Sequence, residues 1–135
     1  MKISTDANVL LRIVLDDDPA QAVAAREVLS QASLIAIPIA ALCEFVWVAG
    51  AGYRLGRQAI IEALEALLAT KGASYDEGAA HAGLNMLRAG GDFADGVIAY
   101  DGHRLGGEVF MTFDRKAARK VAATGIQTRL PVTGH

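Results

Sequence analysis

Apolar residues fall in this chain in two rhythms. Short runs bounded by Asp, Pro or Gly predict buried strands: Lys2–Thr5, Leu34–Ile37, Val109–Phe113 and Ile126–Arg129, with a very short one at Ala73–Tyr75. Between them, helical spacing predicts helices over Asn8–Val14, Ala20–Gln31, Ile39–Ala49, Arg57–Thr70, Asp76–Arg88, Phe93–Leu105 and Arg115–Ala123. The punctuation agrees. The run Asp16-Asp17-Asp18-Pro19 ends one helix and starts the next, with Asp18 as cap and Pro19 at the first helical position. Gly50-Ala51-Gly52, Lys71-Gly72, Gly90-Gly91, Gly106-Gly107 and Thr124-Gly125 read as stops, and Thr133-Gly134-His135 as a tail that frays.

Strands separated by helices imply a parallel sheet covered on both faces. The expected fold is α/β, a three-layer sandwich with a short, mainly parallel central sheet. A chain of 135 residues is expected to form a single domain over 1–135, and it shows no repeat, low-complexity tract or linker. With 53% hydrophobic and 21% charged residues it can bury a core without staples, and it is apolar enough for self-association to be expected. The lone Cys43 allows no intramolecular disulfide, so a reducing, cytoplasmic location is expected. The first residues enter a strand directly, with no signal-peptide run, and no apolar stretch reaches the ~20 residues that span a bilayer. A net charge of −2 does not mark a nucleic-acid binder by itself.

The chemistry lies in the carboxylates. Ile3-Ser4-Thr5-Asp6 and Val109-Phe110-Met111-Thr112-Phe113-Asp114 are both strands that end in an aspartate. In Gly91-Asp92-Phe93-Ala94-Asp95-Gly96, Asp92 is placed to cap a helix and Asp95 to project from its first turn. Capping accounts for each of these singly. In open parallel sheets, however, ligands bind beyond the carboxyl ends of the strands, which is where Asp6 and Asp114 fall. Glu44 adds a fourth charge, in Ala41-Leu42-Cys43-Glu44-Phe45-Val46-Trp47, with no basic residue within a helical turn. A carboxylate in such surroundings is expected to face a solvent cleft or a cation. Four carboxylates in one pocket would need a cation, and hard oxygen ligands point to Mg²⁺ or Mn²⁺.

Asp6-Ala7-Asn8-Val9-Leu10, Glu44, Phe93-Ala94-Asp95-Gly96-Val97-Ile98-Ala99 and Thr112-Phe113-Asp114-Arg115-Lys116 resemble, in order and spacing, the motifs of PIN-domain ribonucleases of the VapC toxin family. The resemblance covers essentially the whole chain. It implies a Mg²⁺- or Mn²⁺-dependent endoribonuclease, the toxin of a type II toxin–antitoxin pair, acting on an RNA substrate and inhibited by a cognate antitoxin. It implies Asp6, Glu44, Asp95 and Asp114 as the catalytic and metal-binding acidic site, with Asn8 and Thr112 as supporting polar residues. Asp92 is added as a supporting residue from its capping position. Asp101-Gly102 departs from relatives, which often carry small apolar residues there, and Asp101 is read as a surface charge.

Arg115 and Lys116, with Arg119 and Lys120 beyond them, are candidates for tracking an RNA backbone, and Arg54 and Arg57 are similar candidates. Phe45 and Trp47 fit either a core or a groove for a partner; an antitoxin, a homodimer and a toxin–antitoxin hetero-oligomer are the expected assemblies. His81, His103 and His135 lack ligand spacing. Two other functions fit the acidic pattern. One is a different metal-dependent phosphate hydrolase, although Asn8 stands where aspartyl-nucleophile phosphatases usually carry a second aspartate. The other is a non-catalytic module whose acidic pocket receives arginines.

Overall fold

The computed structural model describes residues 1–15 and 17–132. Asp16 and the expected frayed tail from Thr133 lie outside the described residues. The chain divides into two compact units, Met1–Asp76 and Glu77 onward.

In the first unit, β1 (Lys2–Ser4), β2 (Leu34–Ala36) and β3 (Ala73–Ser74) form a parallel ladder in the order β1-β2-β3, with Ile3 opposite Ile35 and Ile35 opposite Ala73. Its helices are α1 (Ala7–Val14), α2 (Pro19–Gln31), α3 (Ile39–Trp47) and α4 (Arg57–Leu68). The starts of α1 and α2 arise directly from the sequence. Asp6 Oδ1 accepts from Val9 N–H at 3.0 Å, and Asp18 Oδ1 accepts from Gln21 N–H at 3.1 Å behind Pro19. Helix α1 packs on α2 and α3, and Leu10, Ile35, Leu42, Phe45 and Leu64 are fully buried.

Helix α3 turns Ala41, Leu42, Phe45 and Val46 inward and leaves Ala40, Glu44 and Trp47 exposed. The glycines expected to stop it do something else. Val48–Gly52 continues α3 as one π-helical turn, in which Tyr53 N–H reaches back five residues to Val48 C=O at 3.0 Å. Arg54 comes next, in the left-handed region at φ 56°, the one non-glycine residue there among the described residues.

The second unit holds α5 (Glu77–Arg88), α6 (Phe93–Arg104), α7 (Arg115–Ala123) and a second parallel ladder of β4 (Val109–Met111) with β5 (Gln127–Arg129). Helices α5 and α6 approach closely because glycine lies at the contact. A Cβ on Gly96 would stand 2.5 Å from Ala82 O and 2.8 Å from Met86 Cβ, and one on Gly83 would stand 2.5 Å from the Phe93 ring. Met86, Ala99 and Val121 form a buried cluster, with Phe110 and Ile126 packed against it.

The fold class is α/β with short parallel sheets, as expected. The hydrogen bonds form two separate ladders rather than the one central sheet expected. Strand β4 is also shorter than the Val109–Phe113 run suggests. Thr112 N–H still reaches Arg129 C=O at 3.2 Å, but its hydroxyl turns the chain toward α7.

Candidate active site

In the second unit, Asp92 and Asp114 both act on Asp95. Asp95, in the first turn of α6, is half-buried. Its carboxyl titrates above its ordinary value, because burial disfavours the charged form and because Asp92 and Asp114 add negative charge nearby. The first turn of a helix ordinarily favours a carboxylate, so the upward shift marks burial, and beside it neighbouring negative charge, that the helix end does not offset.

Asp92 occupies the N-cap of α6 with extended backbone, yet its side chain makes no capping hydrogen bond. That corrects the expected cap. Asp95 already places a carboxylate on the first turn, and a second one drawn to the same N–H groups would meet it in repulsion. Asp92 acts on Asp95 through charge instead.

Asp114 does cap its helix, with Oδ1 accepting from Ala117 N–H at 3.0 Å. Its own N–H donates to Thr112 Oγ1 at 3.0 Å. One oxygen of Asp114 is therefore committed to the helix, and the backbone beneath it is held by Thr112.

The basic residues after Asp114 divide. Arg115, Lys116 and Arg119 are exposed. Lys120 is not free to track a backbone as expected: its Nζ donates to Ala89 C=O at 2.6 Å and ties α7 to the end of α5. Asp101 pairs with Arg104 on the surface, one turn along α6, which matches its reading as a surface charge.

The first unit carries Asp6, Asn8 and Glu44. Thr5, the residue before Asp6, is buried and hydrogen-bonds Ala36 C=O twice, through N–H at 3.0 Å and Oγ1 at 3.1 Å. Asp6 is thus aimed from both sides, by Thr5 behind and by its cap on α1 ahead. Asp6 and Asn8 are exposed at a cavity of about 590 Å³ between β1, α1 and α2, whose apolar wall includes Val9, Val28 and Leu29. Glu44 is not among the residues lining that cavity.

Glu44 is exposed on α3. The apolar run around it overstated its burial, because Ala40 and Trp47 share its open face. Phe45 is core at 0% exposure, whereas Trp47 is 72% exposed.

A network that no motif in the chain announces lies next to this helix. Arg12 donates to Asp17 at 2.5 Å and to the Tyr53 hydroxyl at 2.9 Å, and that hydroxyl donates to Asp17 at 2.9 Å. The Tyr53 hydrogen bond first, and Arg12 second, hold the Asp17 carboxyl below the usual carboxylate range. The closed triangle pins the residue just before Arg54 to the end of α1. Its members lie up to 41 positions apart, so no local pattern signals it.

The donor set suits a hard divalent cation. Asp95 and Asp114 offer carboxylate oxygens, and a cation would favour the charged form of Asp95 that burial and its neighbours disfavour. Among the described residues, no group of three or more His, Cys, Asp or Glu side chains forms a ready cage. A hexacoordinate ion that keeps several waters is commonly held by only one or two carboxylates and the substrate phosphate, and the Asp95–Asp114 neighbourhood fits that requirement. No helix among the described residues is long and apolar enough to cross a membrane.

Comparison with curated proteins returned no match. The sequence model of the PIN domain matches residues 3–123, a span that runs through both units and takes in all four marked carboxylates. On a match of that extent, the chain belongs to the PIN domain family, whose members are generally metal-dependent nucleases.

Proposed function

We propose that this protein is a Mg²⁺- or Mn²⁺-dependent endoribonuclease, the toxin of a type II toxin–antitoxin pair. The observation that carries the reading is Asp95: a half-buried carboxylate pressed by the charges of Asp92 and Asp114, in a chain of a nuclease family. Asp95 and Asp114 would hold the ion, and Asp6 and Glu44 are assigned as further catalytic carboxylates on their place in the motifs. Bound there, a divalent ion supplies an acidified water and stabilises charge on the scissile phosphate.

The chain's own residues set up that chemistry. Asp95 releases its proton more readily once positive charge stands beside it. Thr112 and the α7 cap fix the direction of Asp114. Asp6 is held by Thr5 and by its own cap, and Asn8 stands two residues on as a neutral polar partner. Exposed Arg115 and Lys116 are assigned to the RNA backbone. In-line attack of water on the phosphodiester would leave a 5′-phosphate and a 3′-hydroxyl, as the family resemblance implies. The partners in this reading are RNA, a cognate antitoxin that sends an arginine to the carboxylates, and a second copy of the chain.

Incubation of the purified protein with single-stranded RNA tests the reading. Cleavage is expected with Mg²⁺ or Mn²⁺, and none in excess chelator. Turnover of a small phosphate ester without RNA cleavage would instead favour a phosphatase, and neither activity would favour a binding module.

A further inference from the structure

The outward face of α3 and the turn beyond it carry two side chains that the proposed chemistry does not use. Trp47 is 72% exposed, although tryptophan is on average a highly buried residue. Its exposed companions on α3 are Ala40 and Glu44, small or charged, and Ala51 and Gly52 are exposed in the π-turn. Along this helix and turn, Tyr53 is the other exposed large apolar residue, and it is tied to Arg12 and Asp17, so the indole is not joined to the contiguous apolar centre that a protein interface needs. The indole suits a single flat partner. Glu44 precedes it by three positions, which puts the two on neighbouring turns of one helix face.

Arg54 is the second. It is exposed and makes no hydrogen bond or ion pair among the described residues. Its backbone is held at φ 56°, where an arginine is strained and glycine would not be. The residue before it, Tyr53, is fastened by Arg12 and Asp17, so the strained conformation is kept in place. A fixed backbone thus presents an uncompensated guanidinium just past the helix that carries Glu44 and Trp47.

We infer that the end of α3 and its π-turn form a contact strip for single-stranded RNA, with Trp47 stacking on a base and Arg54 binding a phosphate. An aromatic face for the base and a cation for the backbone are the two elements by which single strands are held. The inference rests on the ribonuclease reading for its choice of RNA.

Trp47 is the chain's one tryptophan, so fluorescence excited at the red edge of the absorption band, where the tyrosines do not absorb, reports on it alone. The experiment titrates Asp95→Asn protein, in Mg²⁺, with a short single-stranded oligouridylate. Saturable quenching is expected. Arg54→Ala should weaken binding and reduce the slope of log affinity against log salt by about 0.7, the share of one phosphate contact. Trp47→Ala, tracked by anisotropy of labelled RNA, should weaken binding about 5–150-fold with an unchanged melting temperature.

Unmoved emission at saturating RNA, or an unchanged salt slope for Arg54→Ala, overturns the strip. An emission change that tracks protein concentration without RNA also overturns it and assigns the face to a second copy. Quenching only by an added protein partner assigns it to that partner, with the same result. The two readings fail separately. Metal-dependent cleavage by the wild type with silent Trp47 removes the strip and leaves the nuclease. Quenching without any metal-dependent cleavage does the reverse.

Discussion

Thr112 Oγ1 accepts the backbone N–H of Asp114 at 3.0 Å, so the residue that leaves strand β4 sets the direction of the carboxylate two positions on. Thr112→Val keeps the branched outline and removes the acceptor. The expected loss of stability is about 0.5–1.5 kcal/mol, the net worth of one such hydrogen bond. RNA cleavage should fall about 10-fold or more, with a higher Mg²⁺ requirement, as for groups that orient metal ligands. Thr112→Ser should restore both. Mg²⁺ titrations of cleavage alongside melting curves check this; a variant that loses stability but keeps the wild-type Mg²⁺ dependence would leave Thr112 a structural residue only.

Asp95 makes a prediction with a definite sign. Burial first, and the charges of Asp92 and Asp114 second, raise its carboxyl in the folded state. The folded chain therefore keeps a proton that the unfolded chain has released. The associated stability is complete below the ordinary carboxylate value and is lost as pH rises through the raised folded value. At neutral pH without metal, Asp95→Asn should melt at the same temperature as the wild type or higher, while RNA cleavage is lost. Mg²⁺ should raise the melting temperature of the wild type and not of the variant. An Asn variant that melts earlier in chelator would show that the carboxylate serves mainly to stabilise the start of α6.

Phe45 and Trp47 differ by two positions and should differ sharply in consequence. Phe45→Ala empties a fully buried site and should destabilise by about 3–5 kcal/mol. Trp47→Ala removes a ring that is mostly in water and should shift stability by about 0.5 kcal/mol or less. Denaturant melts of the two variants decide it, and equal losses would mean that Trp47 is covered in solution.

The features legible in the sequence were local ones. The caps at Asp6, Asp18 and Asp114 lie within three residues of the N–H groups they accept from, so the chain itself announces them. The same local logic misplaced Asp92, because a cap residue competes with whatever else charges the first turn, and here that is Asp95. Around Glu44 an almost wholly apolar run hides which face points inward. Periodicity assigns a face only where polar residues mark the other one, so Phe45 and Trp47 could not be separated. The Gly50–Gly52 stop became a π-turn because glycine permits a break without requiring one. The Arg12–Asp17–Tyr53 triangle depends on tertiary proximity across three elements and leaves no mark in any window of the chain. In the candidate site the marked residue types were readable from motif and position, whereas the charge coupling of Asp92, Asp95 and Asp114 required coordinates.

The π-turn after Trp47 also restricts how this segment can change in length. A π-turn is an α-helical turn that has taken in one extra residue. Deleting any one of Val48–Gly52 would let the segment relax to an ordinary α-helix, and the tighter turn would absorb the missing residue, so the downstream chain keeps nearly the same phase. Tyr53 would then still meet Arg12 and Asp17, and Arg54 would stay with it. A second deletion finds no wide turn left to absorb it and rotates the downstream chain by about 100°. The spacing between Trp47 and Tyr53 therefore has room for the loss of one residue and not of two.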